Sequence, residues 1–199
     1  MRKIQCIVML FLVVSLYANN SFSFLMGMRN DRYVFVGVEY ASRFGLAVEN
    51  SMFTQGTEKQ YIRVSPFYRW NIDDSFEGSY ALYYGMRYDR DYFDVGARVD
   101  VLWRHYRYLQ VGGTLMPFYD SFLKGLVGYQ AYAQTFPLKE IGVFAGAKNL
   151  PDFRDVERRF MGGLVFESGR LCVRPELSVP MTGETHLTRV SLFFVYRSL

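Results

Sequence analysis

Apolar side chains recur at every second position through most of this chain, and the positions between them hold charge, glycine and tyrosine. In RYVFVGVEYASRFGLAVEN, Val34, Val36, Val38, Tyr40, Phe44, Leu46 and Val48 share one parity. Glu39, Arg43, Glu49 and the small residues Gly37, Ala41, Gly45 and Ala47 share the other. A period of two puts successive side chains on opposite faces of a β-strand. A wide apolar face repeated from strand to strand suits strands that turn that face to lipid and the polar face to an enclosed interior.

The chain start points to export. Arg2 and Lys3 precede the run Ile4 to Ala18, which is apolar except for Gln5 and Ser15. This is the pattern of a signal peptide, with cleavage expected after Ser23, through small Ser21 and Ser23, or after Ala18. The expected domains are therefore a leader over 1–23 and one β-barrel domain over 24–199. About 15 residues is short for a membrane helix, which needs roughly 20. Cys6 leaves with the leader, so Cys172 is the only cysteine of the mature chain and no intramolecular disulfide can form.

Keeping each segment for as long as its alternation holds phase gives ten strands. They run at about 33–50, 59–71, 76–88, 92–104, 107–118, 122–135, 139–148, 158–167, 170–181 and 186–197, with eight or twelve as alternatives. The first segment could turn near Ser42, but a two-residue turn would flip the alternation, and the phase runs straight through. The expected fold is an all-β, antiparallel, up-and-down transmembrane barrel. Alternate connections are uniformly tight, and the other set contains the long ones, Ser51 to Glu58, Asn149 to Glu157 and Thr182 to Thr185. Barrels of this architecture have short periplasmic turns and longer outer loops, which puts the long set outside the cell. Trp70, Trp103, Phe76 and Tyr196 then form one aromatic girdle, and Tyr88, Phe93 and Phe118 the other.

The inward face is expected to hold a charge network of Glu39, Arg63, Glu77, Arg87, Arg98, Asp100, Arg174 and Glu176. Arginine dominates it; of five lysines only Lys148 points clearly inward. Enclosed ion pairs favour the planar guanidinium, and ten strands leave little room beyond their side chains. The expectation is a filled lumen rather than an open pore. A soluble barrel with the faces reversed is the competing fold.

The last strand, THLTRVSLFFVYRSL, resembles the C-terminal assembly signal of outer-membrane barrels: Val190, Leu192, Phe194 and Tyr196 share one face and end in an aromatic. Its tail Arg197, Ser198 and Leu199 departs from the usual terminal aromatic. From the leader to Leu199 the chain resembles small bacterial outer-membrane β-barrel proteins as a general class. That resemblance implies outer-membrane location, contact with lipid and insertion by the barrel-assembly machinery.

For function, the leading expectation is a non-enzymatic barrel acting in envelope structure or surface interaction. Its candidate contact with an extracellular protein partner is the segment holding Leu150, Asp152, Phe153 and Arg154. The alternative is a narrow channel for small solutes, and the third reading is a rim hydrolase built on His186 with Glu184, Asp152 or Asp155. No phosphate loop or Cys/His cluster is present, so no cofactor or metal site is expected, although Asp89, Asp91 and Asp94 form an acidic rim group. The formal net charge of +4, which falls to +2 without Arg2 and Lys3, gives no ground for a nucleic-acid partner.

Overall fold

The computed structural model describes residues 21–30, 33–41, 43–53, 60–88, 91–105, 108–122, 124–150 and 157–198. The expected leader lies outside these residues except for Ser21, Phe22 and Ser23. Twelve strands follow one another: β1 (Ser21–Arg29), β2 (Tyr33–Ala41), β3 (Phe44–Phe53), β4 (Tyr61–Asn71), β5 (Phe76–Arg87), β6 (Phe93–His105), β7 (Leu109–Asp120), β8 (Lys124–Leu138), β9 (Ile141–Lys148), β10 (Arg159–Ser168), β11 (Leu171–Pro180) and β12 (Arg189–Ser198). Each pairs antiparallel with its neighbours in sequence, and β12 pairs with β1 to close the barrel.

The count is twelve rather than ten for two reasons. β1 occupies a stretch read as leader and linker, although Phe22, Phe24, Met26 and Met28 alternate there with Ser23, Leu25 and Gly27. The first expected strand is also a hairpin, because β2 and β3 pair through Tyr40↔Leu46 and Ala41↔Gly45. Three residues separate Ala41 from Gly45, and an odd-numbered connection returns the chain with its parity unchanged. A phase that runs straight through therefore does not exclude a turn. Because two strands are added, the alternation of long and short connections is preserved.

The turns carry their own chemistry. Asp73 Oδ1 accepts the backbone N–H groups of Ser75 (2.7 Å) and Phe76 (2.8 Å), closing the short β4–β5 connection. Gly169 takes φ +58° in the two-residue turn between Ser168 and Leu171, where a tight hairpin needs positive φ.

The closing seam is fastened at both ends. Ser198 Oγ donates to the Phe22 carbonyl and accepts from the Phe22 N–H, each at 3.1 Å. At the opposite end, Asn30 accepts from the Val190 N–H at 3.1 Å and donates to the Thr188 carbonyl at 3.2 Å.

The faces sort as a lipid-facing barrel requires. On β6, Phe93, Val95, Val101 and Trp103 are exposed on the outside, while Arg98, Leu102 and Arg104 line the interior. Leu82 on β5 and Phe160 on β10 stand 66% and 60% exposed, a belt that water would not tolerate. The reversed, soluble arrangement is excluded. Trp70 stacks on Tyr80 (5.8 Å between ring centroids) and packs on Phe76 (5.5 Å) at the short-turn end. Gly78 makes room for that indole, since a Cβ there would lie 2.3 Å from it. At the long-connection end, Phe93 packs with Tyr84 and Tyr119. Phe118 does not belong to this girdle: it shares parity with inward Gly112 and is buried inside with Tyr83 and Met116.

Deleting 21–29 would leave β2 and β12 as open edges in hydrocarbon, where each unpaired backbone group costs several kcal/mol. The expected outcome is loss of the compact, heat-modifiable band on a cold gel. A truncated chain that still gave that band would show that β1 is not needed for closure.

Candidate functional site

Twelve strands enclose more space than ten, and the interior is not filled. A cavity of about 820 Å³ runs inside the barrel, lined by eight arginines, Lys148 and five glutamates. The side-chain-filled lumen expected from a ten-stranded barrel is corrected accordingly, since interior width grows with strand number.

Part of the interior is nevertheless packed solid, and the filling shapes what remains. Near the long-connection end, Tyr61 Oη donates to Asp94 Oδ1 at 2.7 Å and accepts from Arg63 Nε at 2.9 Å. Arg63 also faces Asp94 Oδ2 (3.5 Å) and Glu49 (3.8 Å), and its guanidinium lies 4.7 Å from the Tyr83 ring centre. Asp94 is 2% exposed, so a carboxylate there needs these donors. Gly85 opens the space: a Cβ at that position would lie 2.0 Å from the Tyr61 hydroxyl. Beside this group, Tyr92, just ahead of β6, donates to Asp120 at 2.7 Å. Burial and that hydrogen bond push the Tyr92 phenol up, keeping it a protonated donor. Tyr83, Met116 and Phe118 form an apolar cluster on the same wall.

Across β8–β11 the filling is apolar toward the short-turn end, where Phe136, Phe144, Met161 and Val165 pack together with Tyr132 and Cys172 against them. Arg174 lies over this cluster, its guanidinium 3.7 Å from the Phe144 ring centre and 5.6 Å from that of Tyr132. Glu176 is shared: Lys148 bonds one oxygen, and Arg174 Nη2 stands 3.5 Å from the other. Arg159, at the long-connection end of β10, is buried on Glu157, the Ser178 hydroxyl and carbonyl, and the Leu187 carbonyl.

Five of the expected network residues, Arg63, Glu77, Arg98, Arg174 and Glu176, line the cavity. They form several groups rather than one. Arg104 bonds Glu77 at 2.6 Å, and Asp100 takes Arg98 (2.8 Å), Thr114 (2.7 Å) and Ser79 (3.2 Å). Glu39, which pairs with Arg69 near the short turns, and Arg87, at the end of β5, are not among the lining residues. Leu150 packs inward onto the Tyr83–Met116–Phe118 cluster, so it is not a surface anchor. Asp152, Phe153 and Arg154 lie outside the described residues, as do Asp89 and Asp155. His186 is exposed on a short 3-10 turn, Thr185–Leu187, with no ion pair among the described residues. No group of three or more His, Cys, Asp or Glu suited to a metal occurs among the described residues.

Leu25, Arg29, Phe35 and Phe193 also line the cavity and were not anticipated. For Leu25 and Arg29 the missed signal was the alternation within SFSFLMGMR, hidden by its closeness to the apolar run Ile4 to Ala18, whereas Phe35 and Phe193 share the inward parity of strands that were expected.

Tyr61→Phe removes the hydroxyl that links Arg63 to buried Asp94, and is expected to destabilise the barrel by about 1–3 kcal/mol. Urea unfolding in detergent checks this; an unchanged midpoint would mean that the network does not hold this wall.

No protein-family model and no curated protein sequence matches the chain. Solved structures do. A KdgM porin in complex with disordered oligogalacturonate aligns with a TM-score of 0.66 and 13% identity, covering 90% of this chain and 99% of that one. A NanC porin aligns at 0.56 with 12% identity, covering 89% and 100%. The outer-membrane protein Omp33 of Acinetobacter baumannii aligns at 0.59 with 8% identity, covering 90% and 98%. The chain has the fold of these outer-membrane β-barrels over nearly their whole length.

Proposed function

We propose that this barrel is a narrow outer-membrane channel that favours small anionic solutes. The observation that carries the reading is the surplus of nine cations over five carboxylates around one interior cavity. A low-dielectric wall concentrates the field of such a surplus within the lumen, and rings of arginine select anions in pores. The similarity to porin structures supports a channel over the envelope-structure reading, and one of those porins was solved in complex with disordered oligogalacturonate. The inward packing of Leu150 also removes one of the residues on which a surface-contact role rested.

Placement follows from the same argument. The long connections face the exterior and the short turns the periplasm, with both chain ends periplasmic. Export uses the leader, and cleavage after Ala18 is favoured over cleavage after Ser23, because Phe22 and Ser23 pair with Ser198 and Arg197. Insertion by the barrel-assembly machinery accords with the apolar outer face of β12, where Val190 and Tyr196 are exposed.

Planar-bilayer recording under a potassium chloride gradient tests the channel. Reproducible steps with a reversal potential on the chloride side are expected, and Arg98→Gln should shift that potential toward zero. Electrically silent barrels that are heat-modifiable would contradict the reading.

A further inference from the structure

The lumen has two chemically different walls, and their register shows where they meet. On β12, β1 and β2 the inward positions form rows across the strands. Phe193, Gly27 and Phe35 are mutual register partners in one row, and Val195, Leu25 and Gly37 in the next. Neither row carries a charge. The flanking rows do: Arg29 stands opposite Ser191 on one side, and Ser23 opposite Arg197 and Glu39 on the other. Apolar residues thus form a step at mid-height, bounded by charged residues toward both mouths.

The step is built rather than left over. Gly27 lets two rings lean together above the strand, because a Cβ there would lie 2.1 Å from Phe35 and 2.9 Å from Phe193. The ring centres are 5.8 Å apart and tilted by 45°. Both rings line the cavity and are only partly buried, so apolar surface faces the lumen. Inside a barrel whose other walls carry ion pairs, such surface does nothing for a hydrated chloride ion.

The next strand supplies the charge. Arg174 is the register partner of Phe193 on β11. Among the described residues its Nε has no hydrogen-bond partner, and Glu176, the carboxylate it pairs with, is already held by Lys148. Its guanidinium lies over the Phe144 ring, in the cavity that the aromatic step also lines, and shares its carboxylate with Lys148.

The geometry points to a passenger site for carboxylates that carry an apolar ring face. The ring lies against Phe35, Phe193 and Leu25, and the carboxylate faces Arg174. This inference rests on the channel reading and deepens it, from anions in general to ring-bearing organic acids. Pairing an offset ring contact with one charge-assisted contact favours such a passenger over a small aliphatic acid of equal charge.

The test uses the refolded full-length mature barrel, carrying chloride current in a planar bilayer. Sodium benzoate is compared with sodium acetate at equal concentration. Benzoate is expected to reduce the chloride current at concentrations where acetate does not. Phe193→Ser should weaken that block roughly three- to ten-fold, the range expected for loss of one aromatic contact, while chloride still conducts. Phe35→Leu serves the same purpose if the first variant does not assemble, and Arg174→Gln should weaken the benzoate block as well. Equal block by benzoate and acetate in a conducting barrel would overturn the site and leave the channel standing, as would undiminished block in both phenylalanine variants. A folded barrel with no conductance would remove the channel reading itself.

Discussion

Every backbone N–H and C=O within hydrocarbon must find a partner inside the protein, and for a sheet this is possible only if it closes. The pairing of β1 with β12 meets that demand, and the rest of the structure depends on it. Closure fixes the strand number at twelve, strand number fixes the width, and the width leaves a cavity where a narrower barrel would be filled. The side-chain bonds of Ser198 and Asn30 lie at the two ends of this seam, where fraying would begin.

Once the width is set, the interior has to hold many charges in a confined space. Buried ion pairs are weak sources of stability, because desolvation offsets most of their attraction. Here the costs are contained by grouping. Asp94 has Tyr61 and Arg63, Asp100 has Arg98, Thr114 and Ser79, and Glu176 has Lys148 and Arg174. Apolar clusters thicken the wall around Met116 near one end and around Phe144 toward the other. The cavity is the space between these fillings and the uncharged step on β1, β2 and β12.

Fold class was legible in the alternation alone, because period two with apolar residues on one parity has few solutions once strands exceed the length of soluble ones. The longest here, β8, has 15 residues. Strand number was not legible, for reasons that belong to particular residues. The odd-numbered link between Ala41 and Gly45 preserves parity through a hairpin, and the Ser-Phe alternation of β1 begins within a few residues of the apolar run Ile4 to Ala18. Inward assignment of Arg63, Arg98 and Arg174 followed from parity, and parity also puts Asp100 and Glu176 two residues from their arginines on the same strand; the cross-strand partners, Glu49 and Asp94 for Arg63 and Lys148 for Glu176, depend on strand placement, which alternation does not encode. The expectation of a filled lumen went astray through the count: ten strands implied a filled interior, and from that an emphasis on loops such as the one entered by Leu150. The step formed by Leu25, Phe35 and Phe193 was invisible because it draws on the strand that was missed.

The central claim is a water-accessible lumen with a surplus of positive charge, and Cys172 reports on it directly. In a chain prepared without residues 1–18, which include Cys6, it is the only cysteine, and it lines the cavity. Its rate of modification in the folded barrel, at low ionic strength, can be compared for two methanethiosulfonates of similar size, one bearing a sulfonate and the other a trimethylammonium group. The expected result is reaction with both in the folded state, several-fold faster for the anionic reagent. A thiol reached only after unfolding, or one that favours the cationic reagent, would contradict an open and basic lumen.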